Sequence, residues 1–381
     1  MTAPSVSATL FQPLTLRELT LKNRVVVSPM CQYSARAGVP NDWHFVHLGR
    51  FALGGAGLVF TEATAVEAEG RISYADTGLY DDAQEAAFAR IAKFLKSQGA
   101  AAGIQLAHAG RKASTRVPWD GGGPAKADDP TPGTEAWTPL APSPIPFAEH
   151  YPVPAELGGA ELSRIKQAFV SSAERALRAD FDVLEVHTAH GYLMTEFLSP
   201  LSNQRTDQYG GSRENRMRFP LEVVEAVRAV WPASRPLFVR ISSVDGSEGG
   251  WSLDDSVVYA RELLARGVDV VDCSAGGLTP STATIPDPTQ HGYQVPFAAR
   301  IKRESGIRTM AIGRITDPEL ANAIVAEGSA DLVALARQML DDPNWALHAR
   351  ERLMPEALGD SAYPKQVGYA VKALKRAPRP R

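Results

Sequence analysis

Short apolar runs alternate with amphipathic segments along most of the chain. Eight of these runs are apolar at nearly every position, which is typical of strands that are buried on both faces of a sheet. The predicted strands are Arg24–Pro29, Gly57–Glu62, Ala101–Ala107, Asp182–His187, Leu237–Ser242, Val268–Ser274, Thr309–Gly313 and Asp331–Ala336.

An amphipathic segment follows each predicted strand. After the second strand, for example, Phe88, Ile91 and Leu95 recur at helical spacing. Asp317 and Pro318 are typical of a helix start, and glycines close several segments. The predicted helices are Trp43–Leu53, Asp82–Ser97, Leu162–Ala179, Asn215–Trp231, Leu253–Arg266, Pro296–Glu304, Pro318–Ala326 and Asn344–Met354.

This strict alternation predicts a single (β/α)8 TIM barrel over residues 10–355 rather than an open doubly wound sheet. No G-x-G-x-x-G pattern joins the first strand to the first helix, so the signature of a dinucleotide-binding Rossmann domain is missing. We expect residues 1–9 to form a flexible N-terminus and residues 356–381 to form a C-terminal tail.

Long connections follow the third and fourth predicted strands, Gly110–Leu162 and Thr188–Glu214. In a barrel both would begin at the carboxyl ends of strands, where active sites of this architecture are built. Loops of this length in a compact domain are usually functional or disordered. The second connection is too rich in polar residues to be a mere linker.

The composition is that of an ordinary globular protein, with 44% hydrophobic and 22% charged residues among 381. A formal net charge of -3 argues against a strongly basic nucleic-acid-binding surface. The two cysteines, Cys31 and Cys273, provide neither a disulfide framework nor a metal-binding cluster, which favours a reducing compartment. Because neither a signal peptide nor a membrane-spanning stretch is evident, we expect a cytoplasmic protein.

Two imidazoles and a phenol, His187, His190 and Tyr192, follow the fourth predicted strand in close succession. One interpretation is that the histidines are hydrogen-bonded core groups. A metal site is another, for which Glu185 and His108 are candidate further ligands. The third is a clamp for a substrate carbonyl or anion, in which Tyr192 delivers a proton. Two histidines and a tyrosine at a barrel mouth favour the clamp.

A cysteine stands at the end of the first predicted strand, within Ser28-Pro29-Met30-Cys31-Gln32-Tyr33. A buried cysteine usually behaves as a small hydrophobic residue. At a barrel mouth, beside a proline and a tyrosine, contact with a ligand is an equal alternative.

Glycine–arginine and alanine–arginine pairs, Gly313-Arg314 and Ala336-Arg337, end the seventh and eighth predicted strands. Barrels often bind phosphate at this place through loop N–H groups, and arginine adds charge-assisted donors. A surface arginine after each strand is the alternative, but two such pairs on neighbouring strands favour a phosphate site.

Polar side chains also interrupt two otherwise apolar strands. The amide of Gln105 can both donate and accept hydrogen bonds. The charge of Arg240 needs a partner inside a barrel, and an anionic ligand and the Glu185 carboxylate are the two candidates. Together these strand-end groups fit one large planar ligand.

These motifs resemble the Old Yellow Enzyme family over about Leu10 to Met354. They occur in order on most of the predicted strands, so the resemblance is specific. The cysteine after Met30 is similar to that of the subgroup containing xenobiotic reductases and thermophilic-like ene-reductases. The passages that carry the resemblance are Val27–Tyr33, Glu62–Val66, Gln105–Arg111, Glu185–Tyr192, Phe197–Asn203, Arg205–Ser212 and Asn215-Arg216.

The resemblance implies non-covalent FMN across the barrel mouth. Arg240 would stabilise negative charge on the reduced flavin, and Cys31 would tune the flavin potential and touch the substrate. The residues implied at the flavin ring are Ser28, Pro29, Met30, Cys31, Ala63, Gln105 and Arg240. Those implied at the phosphate end are Gly277, Gly313, Arg314, Ala336 and Arg337.

The resemblance also implies an ene-reductase that works in two half-reactions. NADPH, or NADH, passes a hydride to FMN, and the hydride then moves to Cβ of an enone, an α,β-unsaturated carbonyl compound. His187 and His190 would bind the carbonyl, and Tyr33 would position the substrate. Tyr192 would be the general acid that protonates Cα.

Two features depart from the family's pattern. Its last strand usually ends in Gly-Arg, where this chain has Ala336-Arg337. In relatives a C-terminal Arg or Trp can enter a neighbouring subunit's pocket, and here Lys365 or Tyr369 would take that place. A homodimer or homotetramer is expected by resemblance.

Other functions stay open at this level. One is a non-redox, metal-assisted lyase that acts on a phosphorylated substrate, and another is a protein that binds flavin without turnover. For an ene-reductase, enones, quinones, nitro compounds and maleimides would all fit the sequence.

Overall fold

Eight parallel strands close into one barrel, in which neighbours are also neighbours in the chain. The computed structural model describes residues 8–126, 133, 135–355 and 363–376. Val333 pairs with Val25 and closes the barrel, so the predicted (β/α)8 architecture is confirmed. The strands are β1 (Val25–Val27), β2 (Leu58–Ala65), β3 (Ala101–Ala107), β4 (Val183–Thr188), β5 (Leu237–Ser242), β6 (Val270–Ser274), β7 (Arg308–Ala311) and β8 (Leu332–Leu335).

Helices surround the barrel and include all eight that the sequence predicts, with ends displaced by a few residues. Three further helices, α4, α9 and α11, were not predicted. The helices are α1 (Asp42–Leu53), α2 (Asp82–Ser97), α3 (Gly159–Arg178), α4 (Leu193–Leu198), α5 (Arg213–Val230), α6 (Leu253–Ala265), α7 (Val295–Ser305), α8 (Pro318–Ala326), α9 (Arg337–Asp341), α10 (Trp345–Leu353) and α11 (Lys365–Arg376).

The first two strands differ from their predicted bounds for identifiable reasons. β1 ends at Val27, and the Ser28 N–H still donates to the Leu335 carbonyl at 3.0 Å. Pro29 has no N–H to continue the ladder, so the predicted end at this residue was wrong. β2 is longer than predicted because it resumes pairing with β3 after a register shift between Phe60 and Ala63.

Side chains that point into the barrel are apolar deep inside and polar at the carboxyl ends of the strands. On β5, Phe238 belongs to the interior apolar cluster, and Arg240 follows two residues later. On β6, Val270 and Asp272 show the same succession. Because strand side chains alternate between faces, this pattern directs one set of polar groups toward the barrel mouth.

The amino-terminal end of the barrel is covered by a hairpin of two short strands, Leu14–Leu16 and Leu19–Leu21. Leu16 and Leu21 are buried in the interior apolar cluster. Ala8 is also buried, whereas residues 1–7 of the expected flexible N-terminus lie outside the described residues. The hairpin therefore closes the end opposite the polar mouth.

The connections after β3 and β4 surround the mouth. The first contains the 3-10 turns Gly110–Lys112 and Pro118–Asp120, and the second contains α4. Of the expected tail, residues 356–362 and 377–381 lie outside the described residues, and the part between them contains α11. None of the helices described is long and apolar enough to cross a membrane.

Candidate active site

The two histidines after β4 lie together at the barrel mouth. His190 Nδ1 is 3.4 Å from His187 Nε2, and the rings meet edge to face. The Ala189 N–H donates to His187 Nδ1 at 3.2 Å, which leaves the proton of a neutral His187 on Nε2. His190 Nε2 is 2.7 Å from the Ser274 hydroxyl.

Both imidazoles are neutral at ordinary pH. Burial lowers the pKa of His187 and of His190 well below the usual value, and the positive charge of Arg240 lowers both further. A neutral imidazole has one N–H donor, so the hydrogen bonds of its other nitrogen decide where that donor points.

Tyr192 completes the predicted cluster. The centroid of its ring is 5.2 Å from the centroid of the His187 ring, and the two rings again meet edge to face. Burial raises the pKa of Tyr192 well above its usual value, and Cys31 and Tyr33 add to the shift. The phenol therefore keeps its proton over the whole neutral range and can donate it.

A tight backbone crossing holds the histidine turn in place. His190 adopts a φ of +63°, in the left-handed region that residues other than glycine rarely occupy. A Cβ added to Gly277 would lie 2.6 Å from the His190 carbonyl oxygen. Gly277 thus packs against the His190 turn, and the structure does not place it on the wall of the phosphate-end cavity described below.

Cys31 and Tyr33 lie across the mouth from these groups. The Ala63 backbone N–H points to the Cys31 sulfur, and Cys31 is a free, partly buried thiol. Burial raises its pKa well above the usual value, and the nearby carboxylates Asp76 and Glu62 raise it further. Cys31 is therefore a neutral thiol, not a thiolate nucleophile.

Buried polar pairs continue around the barrel from Ala63, whose strand neighbour is Gln105. Gln105 Nε2 donates to Glu185 Oε1 at 2.8 Å. Burial, together with the charge of Asp272, raises the pKa of Glu185 to about 8. One oxygen of the Glu185 carboxyl group is thus occupied by the hydrogen bond from Gln105.

The partner of Arg240 is Asp272, which the sequence analysis did not name. Arg240 Nε is 3.1 Å from Asp272 Oδ2, and Arg240 Nη1 donates to the Ser28 hydroxyl at 3.0 Å. The candidate carboxylate Glu185 instead accepts the Gln105 amide. Both oxygens of Asp272 and Glu185 Oε2 lack a hydrogen-bond partner among the described residues, so they can still accept hydrogen bonds. We call Ser28, Gln105, Glu185, Arg240 and Asp272 the polar belt of the barrel mouth.

A cavity of about 260 Å³ opens beside Arg240 toward the ends of β7 and β8. Ser28, Arg240 and Ser274 line its inner part. The predicted residues Gly313, Arg314, Ala336 and Arg337 line its outer part.

The donor set of this cavity fits a phosphate-bearing ligand. Arg314 and Arg337 are exposed at its rim, and neither forms an ion pair with any residue that the structure describes. Unpaired guanidinium groups are well matched to phosphate oxygens. The cavity adjoins Arg240 and Ser28 of the polar belt. FMN has its ring and its phosphate at opposite ends, so it needs a ring site and a phosphate site that are connected in this way.

Pro29 and Met30 lie between Ser28 and Cys31 and are partly buried. Met30 packs against the main apolar core. Both residues thus stay at the mouth, beside the groups predicted to contact the flavin ring.

The residues considered for a metal site do not come together. His108 Nε2 lies 3.1 Å from Glu67 Oε1, and its Nδ1 accepts the Gly110 N–H. Over the described ranges, no group of three or more His, Cys, Asp and Glu residues is arranged to hold a metal ion.

Sequence reasoning missed Asp272, Ser274 and Lys112. Asp272 and Ser274 share the inward-facing alternation of Val270, a signal that could have identified them. Lys112 directly follows the motif Gln105–Arg111, but nothing local indicates which loops it contacts.

Comparison with known proteins points to one family. The sequence model of the NADH:flavin oxidoreductase / NADH oxidase family matches residues 9–356. NADPH dehydrogenase of Geobacillus thermodenitrificans (strain NG80-2) is 45% identical over 350 residues, covering 91% of this chain and 95% of that protein. NADPH dehydrogenase of Bacillus subtilis (strain 168) is 41% identical over 349 residues, covering 91% and 96%. Morphinone reductase in complex with tetrahydroNAD is a similar solved structure, with TM-score 0.73 and 28% identity over 90% of this chain and 91% of that chain.

Proposed function

The chain belongs to the NADH:flavin oxidoreductase / NADH oxidase family, and on that premise we propose that it reduces the C=C bond of α,β-unsaturated carbonyl compounds. It is an NAD(P)H-dependent flavin oxidoreductase, and its cofactor is FMN. When bound, FMN would supply the hydride-transfer chemistry that connects NADPH with the alkene. The observation that carries the proposal is the convergence of two neutral imidazoles and a protonated Tyr192 at one mouth.

The belt of inward-facing polar groups would hold the flavin ring. The Gln105 amide and the Arg240 guanidinium offer donors at the level where the ring would lie. Arg240 would stabilise negative charge on the reduced ring, while Arg314 and Arg337 would hold the phosphate. Ala336 in place of glycine still has a backbone N–H that would bind the phosphate.

The histidine pair would clamp the substrate oxygen. His187 carries its proton on Nε2, because its Nδ1 accepts the Ala189 N–H. If the Ser274 hydroxyl donates to His190 Nε2, the proton of His190 lies on Nδ1, 3.4 Å from His187 Nε2. Two N–H donors at this separation can both reach one carbonyl oxygen at about 2.9 Å. They would stabilise the charge that develops on that oxygen.

Tyr192 would then supply the proton. Its raised pKa keeps the hydroxyl protonated, and a weak acid suffices for a strongly basic enolate-like carbon. Tyr33 and Cys31 would contact the substrate from the other side of the mouth. A phenol donor beside a carbonyl clamp distinguishes an ene-reductase from a protein that merely retains flavin.

Separate measurement of the two half-reactions tests this function. Anaerobic NADPH should bleach the flavin absorbance of the purified holoenzyme, and an enone added afterwards should restore it. Tyr192→Phe should slow the enone step by about 100-fold or more, while flavin reduction by NADPH stays nearly unchanged. Stopped-flow absorbance measures both rates.

Tyr209→Phe is the matched control, because among the described residues the Tyr209 hydroxyl makes only a 3.5 Å contact with Glu222. Equal losses in both half-reactions of Tyr192→Phe would show that Tyr192 has a structural role. Bleaching without reoxidation by any enone, quinone, nitro compound or maleimide would contradict the proposed function. A colourless protein that binds a metal would favour the lyase.

A further inference from the structure

A lysine that pairs with no carboxylate among the described residues lies beside the ring of the proposed proton donor. Lys112 ends the 3-10 turn that follows β3, and its side chain is partly buried. Among the described residues it forms no ion pair, and Glu196 is the acidic group whose charge acts on its pKa. Burial raises the pKa of Glu196 to about 8, so that carboxyl is mostly neutral at pH 7. A buried ammonium with no counterion is costly and calls for an explanation.

Backbone carbonyls from two other loops receive this ammonium. Lys112 Nζ donates to the His190 carbonyl at 2.8 Å and to the Gly277 carbonyl at 3.0 Å. These carbonyls lie in the loops after β4 and β6, at the tight crossing that shapes the histidine turn. The two bonds fix the position of the charge to within a small region of the mouth.

Two aromatic rings complete the surroundings of the charge. Lys112 Nζ is 4.9 Å from the centroid of the Tyr192 ring and 4.7 Å from that of Phe147. Attraction between a cation and a ring at this distance strengthens when water is excluded. Burial lowers the pKa of Lys112 to about 8, so the side chain is still mostly charged at pH 7.

We propose that Lys112 is the positioning residue of the proton donor: its anchored ammonium holds the Tyr192 ring and stabilises the tyrosinate that forms when the proton leaves. In that step the Tyr192 O–H bond breaks, the enolate electron pair of the substrate forms a C–H bond at Cα, and negative charge stays on the Tyr192 oxygen until water returns a proton. This inference rests on the proposed function of Tyr192.

A double-mutant cycle with Lys112→Met and Tyr192→Phe tests the inference on the holoenzyme. Lys112→Met keeps most of the length of the side chain but removes its charge and its hydrogen-bond donors. It should slow flavin reoxidation by an enone at least tenfold in the wild-type background, and less than threefold in the Tyr192→Phe background, because there is no longer a phenol to assist. Lys112→Arg, which keeps the charge, should recover part of the rate.

The rate of flavin reduction by NADPH, and the flavin spectrum, show whether each variant is folded and loaded. Lys166→Met is the matched control. It removes a lysine of the outer helix α3 that pairs with Glu222 of α5. One contrary result is that Lys112→Met slows flavin reoxidation by the same factor in both backgrounds, and another is that it slows reoxidation in neither. Either result would overturn the role of Lys112 and leave the proposed function intact. A wild-type enzyme that no enone reoxidises would overturn the proposed function, and the inference with it.

Discussion

At the scale of single residues, hydrogen-bond partners decide what the catalytic side chains can do. His187 and His190 stand out in the sequence, but whether they can clamp a carbonyl oxygen depends on which nitrogen of each ring carries the proton. The Ala189 N–H settles this for His187, and the Ser274 hydroxyl lies in position to settle it for His190. Ser274, at the end of β6, thus affects the proposed clamp through its contact with His190.

Ser274→Ala should weaken the binding of a para-substituted phenol, a mimic of the enolate oxygen, about five- to tenfold. The physical reason is the loss of about one hydrogen bond's net contribution, because nothing then fixes the proton of His190 on Nδ1. Spectral titration of the oxidised holoenzyme measures the affinity. Ser243→Ala is the control, since the Ser243 hydroxyl lacks a hydrogen-bond partner among the described residues. Unchanged phenol affinity in Ser274→Ala would remove Ser274 from the clamp.

At the scale of elements, the long connection after β3 forms one side of the mouth. It carries Lys112 at its start and places Trp119 edge to face on Tyr33, with 5.9 Å between ring centroids. Trp119 is 67% exposed, so its ring is accessible to a ligand that enters the mouth. The loop length predicted a functional role, whereas its contacts with Tyr33 and His190 needed the fold.

Trp119→Ala should raise the KM for an enone with a bulky aromatic substituent severalfold more than the KM for a small cyclic enone. Trp119 would extend the aromatic wall begun by Tyr33, so only a large substrate reaches it. Steady-state kinetics with the two substrates measures the ratio. Val153→Ala, which truncates another exposed apolar residue of the same connection, is the control. The same change of KM for both substrates would argue against this contact.

At the scale of the whole molecule, burial of acidic groups links stability to pH. Burial is the main cause of each upward shift. The carboxyl groups with raised pKa values are Asp76 (about 7), Glu185 (about 8), Glu196 (about 8), Asp245 (about 6) and Asp272 (about 6). A carboxyl whose pKa is higher in the folded than in the unfolded protein contributes stability below its unfolded pKa and loses that contribution as pH rises through the folded value.

Glu196→Gln should therefore gain stability relative to the wild type as pH rises from about 5 to 8, by an amount on the order of a few kcal/mol. The pKa of Glu196 rises from 4.5 to about 8 on folding, and glutamine can still accept the Arg111 N–H through its amide oxygen. Urea unfolding at pH 5.5 and pH 8, with FMN at saturation, gives the difference. A stability difference that does not change with pH would show that Glu196 does not titrate in this window.

The sequence by itself determined the barrel and the approximate place of the site. Hydrophobic periodicity is a local property, and in a closed parallel barrel every strand end meets at the same mouth, so His187, Arg240 and Arg314 could be assigned to one region before any contact was known. Only the tertiary structure decided the pairings: Arg240 with Asp272, His190 with Ser274, and Lys112 with the carbonyls of two distant loops. These depend on strand register and loop course, which packing between remote segments sets and no local pattern records.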